Sequence, residues 1–133
     1  QVLIDDFSAR TGITATFETV VFRNRLDEEA RIALYRIAQE ALNNIDRHAE
    51  ATNIQASLKG QRDGALLRIT DNGKGFRVGR KSGGLGLRNM QERIEQLGGT
   101  IQITSERGTG TTIQALVPLS HMLSPQEQKA RKT

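Results

Sequence analysis

Three groups of residues in this sequence have the types and spacing to bind a charged ligand. In the first group, Glu40, Asn44 and His48 recur at every fourth position, so they share one stripe if the segment is helical. A carboxylate and a carboxamide one turn apart are hard oxygen ligands, which Mg²⁺ accepts together with phosphate oxygens and water. Glu40 could also position or deprotonate an attacking group. An ordinary helix with Glu, Asn and His at the rim of its apolar face is the alternative, and His48 also suits a hydrogen-bonded position near a core.

The second group is the run Asp-Asn-Gly-Lys-Gly-Phe over residues 71–76. Gly73 and Gly75 allow the backbone to turn sharply and to approach a flat ligand closely. The carboxylate of Asp71 can accept a hydrogen bond from an exocyclic amine such as that of adenine. Asp-Asn-Gly is also a common turn sequence, so a plain turn is the alternative interpretation of this run.

The third group is the run Gly-Gly-Leu-Gly-Leu over residues 83–87, directly before a predicted helix. A glycine-rich loop that leads into a helix exposes backbone N–H groups at the positive end of the helix dipole, and such an arrangement holds phosphates. The sequence has no Gly-Lys-Ser/Thr, which excludes a Walker loop. The glycine spacing is wrong for a dinucleotide-binding fingerprint, and no parallel βαβ unit is predicted around this run.

Hydrophobic periodicity predicts the elements that position these groups. The predicted elements are a helix over 1–10, a strand over 13–21, a helix over 27–49 capped by Asp27, strands over 53–58 and 65–70, a loop over 71–86, a helix over 87–97, and strands over 100–105 and 111–117. Alternating strands with few helices predict an α+β fold, a two-layer α/β sandwich whose mostly antiparallel mixed sheet has helices on one face. We expect one domain over 1–119 and a flexible, polar and basic tail over 120–133.

Composition limits the function classes. The 133 residues include no cysteine, which excludes disulfide scaffolds and thiolate metal sites, and the two histidines are far apart. No apolar stretch is long enough to span a membrane, so we expect a soluble cytoplasmic segment, whether or not its parent protein is membrane-anchored. The chain opens with Gln1 rather than Met, which suggests a segment of a longer protein. The net charge of +4 permits a polyanionic partner, but 19 basic residues are interspersed with 15 acidic ones.

Together and in this order, the three groups resemble the nucleotide-binding boxes of the Bergerat-fold ATPases, which include histidine kinases, type II topoisomerases, Hsp90 chaperones and mismatch-repair ATPases. The run over 40–49 resembles the N box, 71–76 the G1 box and 84–87 the G2 box, and Gly-Thr-Gly-Thr-Thr over 108–112 resembles the family's closing Gly-Thr motif. The resemblance covers residues 1–119. Within the superfamily, Leu-Tyr-Arg-Ile-Ala-Gln-Glu-Ala-Leu over 34–42 and the short lid over 77–82 resemble the histidine kinases whose response regulators carry helix-turn-helix DNA-binding domains.

The resemblance implies a role for each matching residue. Asn44 resembles the Mg²⁺ ligand of the family, and Glu40 the acidic residue that orients the attacking group or a metal-bound water. Asp71 resembles the carboxylate that reads the adenine amino group, with Thr111 in support. The other implied ATP-binding residues are Arg47, His48, Gly73, Lys74, Gly75, Phe76, Lys81, Gly84, Leu85, Gly86 and Leu87.

The resemblance also implies the reaction and the partners. Mg·ATP would donate its γ-phosphoryl group to a histidine on a separate dimerisation and phosphoacceptor domain, and a response regulator would act downstream. The His-Asp pair of that domain does not occur in this sequence, so we expect no autophosphorylation of the chain alone. The parent protein would be a homodimer and this segment a monomer.

Two alternatives remain at this point. One is a serine kinase of the anti-sigma-factor kind, from the same superfamily. The other is a non-catalytic module that binds a nucleotide or a nucleic acid, which the high pI suggests. One Tyr, four Phe and no Trp leave little surface for base stacking, so we expect no nucleic-acid partner.

Overall fold

The structure, a computed structural model, describes residues 2–20, 25–44, 52–61, 63–73, 84–106 and 110–123. The helices of this part of the chain are α1 (Val2–Thr11), α2 (Glu28–Asn44) and α3 (Gly84–Gln96), with a 3₁₀ turn at Leu119–His121. The strands are β1 (Thr14–Val20), β2 (Arg25–Leu26), β3 (Asn53–Gln61), β4 (Gly64–Asp71), β5 (Thr100–Glu106), β6 (Gly110–Pro118) and β7 (Met122–Leu123).

The main sheet has five strands in the order β1-β3-β4-β6-β5. β1 and β3 are parallel, and the other neighbours are antiparallel. A parallel pair needs a crossover connection, and the path from β1 to β3 contains α2. The sheet is therefore mixed and mostly antiparallel, as predicted from the sequence.

The core lies between this sheet and the helices α2 and α3. Along β6, every second residue from Thr111 to Val117 is buried, because successive side chains of a strand point to opposite faces. The buried residues of α2 are Ala30, Ala33, Leu34, Ile37, Ala41 and Leu42, and those of α3 are Met90 and Ile94, with Leu97 directly after the helix. Their recurrence at three and four positions is the apolar stripe of an amphipathic helix. This arrangement confirms the predicted two-layer sandwich with helices on one face.

The beginning of α2 also confirms a prediction. Asp27 precedes the helix, and its Oδ1 accepts the backbone N–H of Ala30 at 2.8 Å. Such a cap satisfies one of the N–H groups that have no partner in the first turn. The predicted end of this helix near residue 49 lies outside the described residues.

The first turn of α3 corrects the predicted loop over 71–86. The helix begins at Gly84 and not at Leu87, so Gly84, Leu85 and Gly86 are helical. The glycines had indicated a loop, because a glycine loses more backbone entropy than other residues when it becomes helical. The first N–H groups of any helix lack a partner within the helix, which leaves those of this glycine-rich turn available to other acceptors.

The residues that follow β6 contact the segment that precedes α2. β2 pairs antiparallel with β7, and Nδ1 of His121 lies 2.9 Å from Oδ2 of Asp27. The backbone N–H of Asp27 donates to the carbonyl oxygen of His121 at 2.8 Å. Residues 121–123 therefore contact the segment that precedes α2, and the predicted domain over 1–119 with a tail over 120–133 stays a prediction. The strands β2 and β7 have two residues each, which is too short for an alternating pattern that could predict them. Residues 124–133 of the predicted tail lie outside the described residues.

Candidate nucleotide-binding site

Asp71 is the last residue of β4 and is buried, with 4% of its surface exposed. Its Oδ1 accepts the backbone N–H of Gly73 at 2.8 Å, and the carboxylate also accepts the backbone N–H of Thr111. Burial raises the pKa of the Asp71 carboxyl above its ordinary value, while these two hydrogen bonds act in the opposite direction. A carboxylate has about four lone-pair sites. Asp71 therefore keeps acceptor capacity for the amine of a ligand, which fits the adenine of ATP.

The beginning of β6 holds Asp71 from the neighbouring strand. Gly110 has a backbone φ of +120°, and a Cβ at this position would collide with the carbonyl oxygen of Asp71. The glycine thus allows β6 to approach the end of β4 closely. The backbone of Thr111, rather than its side chain, donates to the carboxylate, and the Thr111 hydroxyl lies 2.9 Å from the Ser105 hydroxyl.

The N-box residues lie on or after α2. Glu40 is partly buried at the edge of the apolar stripe, next to the fully buried Ala41. Asn44 ends the described part of α2, one turn beyond Glu40, and its side chain lies outside the described part. Among the described residues, no three or more His, Asp or Glu side chains form a cluster that could hold a metal ion by themselves. Glu40 and Asn44 therefore stay predicted Mg²⁺ ligands, and such a site would need phosphate oxygens and water to complete the shell.

The remaining predicted ligand residues divide into two sets. Gly84, Leu85, Gly86 and Leu87 form the first turn of α3, and only their backbone is described. Arg47, His48, Lys74, Gly75, Phe76 and Lys81 lie outside the described residues. The structure therefore brings together Asp71, Gly73 and Thr111 and leaves the predicted contacts of the other residues as predictions.

Comparison with known proteins gives the family. The sequence profile of the histidine kinase-, DNA gyrase B- and HSP90-like ATPases matches residues 29–121. The chain belongs to this family. Membership in this family implies ATP binding. Separately, none of the helices in the described part of the chain is long and apolar enough to cross a membrane.

Individual members of the family match over most of this chain. The sensor histidine kinase MctS of Rhizobium johnstonii is 42% identical over 125 residues, which cover 90% of this chain and 27% of that protein. The signal transduction histidine-protein kinase/phosphatase DegS of Brevibacillus brevis is 36% identical over 118 residues, covering 88% of this chain and 31% of DegS. This chain therefore spans about a quarter to a third of these relatives' length.

A solved structure shows the same fold. The ATP-binding domain of PrrB from Mycobacterium tuberculosis superposes with a TM-score of 0.67 at 21% identity, covering 88% of this chain and 91% of that domain. At this identity the likeness concerns the fold alone, and it agrees with the two-layer sandwich described above.

The structure of this ATPase-family chain also identifies two residues to which the sequence assigned no role. Gly110 meets the backbone of Asp71, and Asn72 makes four hydrogen bonds to the first residues of the β3 segment. An Asn inside Asp-Asn-Gly indicates a turn, but its partners lie about 20 residues earlier in the chain. No local pattern reports such a contact.

Proposed function

We propose that this chain is the ATP-binding catalytic domain of a sensor histidine kinase. It holds Mg·ATP and donates the γ-phosphoryl group to a histidine on a separate dimerisation domain of the parent protein. The observation that carries the proposal is the buried Asp71 carboxylate, held between β4 and β6 by two N–H groups and with acceptor capacity remaining. The names of MctS and DegS, both histidine kinases, support the same function.

The residues of the chain divide the work of binding. Asp71 accepts a hydrogen bond from the adenine amino group, and Gly73 turns the backbone so that the adenine ring can approach. Glu40 and Asn44 hold Mg²⁺, which neutralises charge on the phosphates when bound. The N–H groups in the first turn of α3 face the phosphates, and Arg47, His48, Lys74 and Lys81 are further contacts. Glu40 also orients the attacking group, so that transfer depends on positioning rather than on covalent chemistry by the domain.

The partners follow from the reaction. The acceptor histidine lies on another domain of a dimeric parent protein, and a response regulator with a helix-turn-helix domain takes the phosphoryl group from it. The length of the relatives leaves room for such a domain, since this chain covers only 27% of MctS and 31% of DegS. The reaction takes place in the cytoplasm, where ATP and the regulator are present.

Calorimetric titration of Mg·ATP tests the binding site. We expect Asp71→Asn to weaken binding by about 10–100-fold, because a charge-assisted hydrogen bond is lost. Asn44→Asp should remove the Mg²⁺ dependence, and GTP should bind poorly to the wild type. Asp63→Asn is the matched control, since Asp63 is exposed in the turn between β3 and β4. Equal binding of GTP, or full affinity in Asp71→Asn, would contradict the assigned site.

A transfer assay tests the reaction. The chain is incubated with labelled Mg·ATP and the separately produced dimerisation domain of the proposed parent protein. We expect label on that domain in an acid-labile, alkali-stable linkage, as for phosphohistidine, and much slower transfer with Glu40→Gln although ATP still binds. An acid-stable, alkali-labile product would point instead to a serine kinase.

A further inference from the structure

Asn72 connects the turn that carries Asp71 to the beginning of β3. Its Oδ1 accepts the backbone N–H groups of Thr52 and Asn53 at 3.0 and 2.9 Å, and its Nδ2 donates to the Thr52 hydroxyl at 2.9 Å. The two N–H donors require the amide oxygen at their position, which sets the orientation of the side chain. The backbone N–H of Asn72 donates to the carbonyl oxygen of Asn53 at 3.2 Å.

These four hydrogen bonds act at the centre of the turn. The N–H of Gly73 returns to Oδ1 of Asp71, which is an Asx turn with Asn72 as its middle residue. The direction of the Gly73 N–H depends on the backbone angles of Asn72. Because Asn72 is bound to β3 through both its backbone and its side chain, the turn cannot rotate without breaking bonds to that strand.

The same contacts reach the parallel edge of the sheet. Thr52 receives the N–H of Thr14 on its carbonyl oxygen at 3.1 Å, so the Asn72 side chain joins β4 to a residue that also binds β1. Thr52 and Asn53 also follow the N-box segment over 40–49 after only two residues. One exposed amide side chain thus connects the adenine-reading turn to the segment that returns from the N box.

We propose that Asn72 is a positioning residue for nucleotide binding: by clasping Thr52 and Asn53 it holds the Asp71 carboxylate and the Gly73 N–H in the arrangement that reads adenine. The inference rests on the proposed function of Asp71. The Asn72 side chain bonds Thr52 and Asn53, so the proposed role is positioning and not contact with the nucleotide.

Three variants separate the clasp from general stability. Asn72→Ala removes all three side-chain hydrogen bonds and should weaken Mg·ATP binding about tenfold and reduce the preference for ATP over GTP. Asn72→Asp keeps an acceptor for the two N–H groups and should restore most of the affinity. Thr52→Val removes only the hydroxyl contact and should change the affinity by about twofold or less.

Two measurements are made on each variant of the full chain: calorimetric titration of Mg·ATP and of GTP, and amide hydrogen exchange without nucleotide. Exchange of the Gly73 N–H should become faster in Asn72→Ala and remain slow in Asn72→Asp. Ile101→Val, a partly buried residue of β5, is the structural control, since it should lower the melting temperature without changing nucleotide affinity.

The outcomes distinguish the two proposals. Wild-type affinity in Asn72→Ala, an equal loss in Asn72→Asp, or an equal loss in Ile101→Val would overturn the role of Asn72. If the wild type does not bind Mg·ATP, the proposed function fails, and exchange at Gly73 alone then tests the clasp. Faster exchange in Asn72→Ala would support it, and unchanged exchange would overturn it.

Discussion

Replacing Gly110 with alanine should destabilise the domain more than replacing Gly12, although both glycines have positive φ angles, of +120° and +76°. A left-handed backbone costs a non-glycine residue about 1–2 kcal/mol at either position. At Gly12 a Cβ would meet nothing within 4 Å, so that cost is the whole native-state effect. At Gly110 the Cβ would collide with the Asp71 carbonyl oxygen and lie 3.0 Å from its carbonyl carbon and 3.3 Å from the Asn72 Cα.

The contacted atoms at Gly110 are all backbone, so no side-chain rotation can relieve the collision, and β6 must move away from the end of β4. Overpacking of this kind adds about 1–3 kcal/mol. The smaller entropy of the unfolded alanine chain affects both variants alike and cancels in the comparison. We therefore expect Gly110→Ala to be less stable than Gly12→Ala by about 2 kcal/mol, or roughly 5–10 °C in melting temperature.

Urea and thermal unfolding of both variants measure this difference, and titration with Mg·ATP measures its effect on the site. Gly110→Ala should also bind ATP more weakly, because the strand that holds the Asp71 carboxylate is displaced. Gly12 lies between α1 and β1, so Gly12→Ala should keep wild-type affinity. Equal losses of stability in the two variants would refute the argument that close approach, and not the φ angle alone, requires glycine at residue 110.

Three further predictions concern the charge, the cap and the core. Burial raises the pKa of the Asp71 carboxyl, so folding favours its protonated form. Relative to Asp71→Asn, the wild type should therefore gain stability as the pH falls from the folded-state pKa to the ordinary value. It should lose that stability as the pH rises over the same interval. Denaturation of both proteins across the acid range checks the sign, and a pH-independent difference would contradict it. Asp27→Ala should lower the free energy of unfolding, measured in urea, by about 1–2 kcal/mol because the helix cap is lost. Asp27→Asn should lie closer to the wild type because it keeps an acceptor for the cap. Equal losses of stability in the two variants would argue against the cap. Ile37→Ala, at a fully buried position, should cost about 2–5 kcal/mol, whereas Ile32→Ala on the same helix, where Ile32 is 49% exposed, should cost about 1 kcal/mol or less. Similar costs at the two positions in the same unfolding assay would show that α2 packs differently.

Local patterns in the sequence were sufficient to predict the two-layer sandwich. Apolar residues at helical spacing on α2 and alternating residues on β6 report which side of each element is buried, because burial repeats with the geometry of the element. The Asp27 cap was predictable for the same reason, since a cap involves neighbours three residues apart. The order and spacing of the three candidate ligand-binding groups resembled the ATP site of a known family, and that resemblance needed no tertiary contact.

Only the tertiary structure decided how that site is held. The pairing of β2 with β7, the bonds from Asn72 to β3 and the approach of Gly110 to Asp71 all join residues that are far apart in the chain. Such contacts depend on the register of the strands, and short-range propensity contains no information about it. The raised pKa of Asp71 has the same origin, since it arises from burial beneath elements that the chain brings together only on folding. The sequence by itself therefore determined which residue types could bind a nucleotide, and the folded chain determined which backbone groups hold them in place.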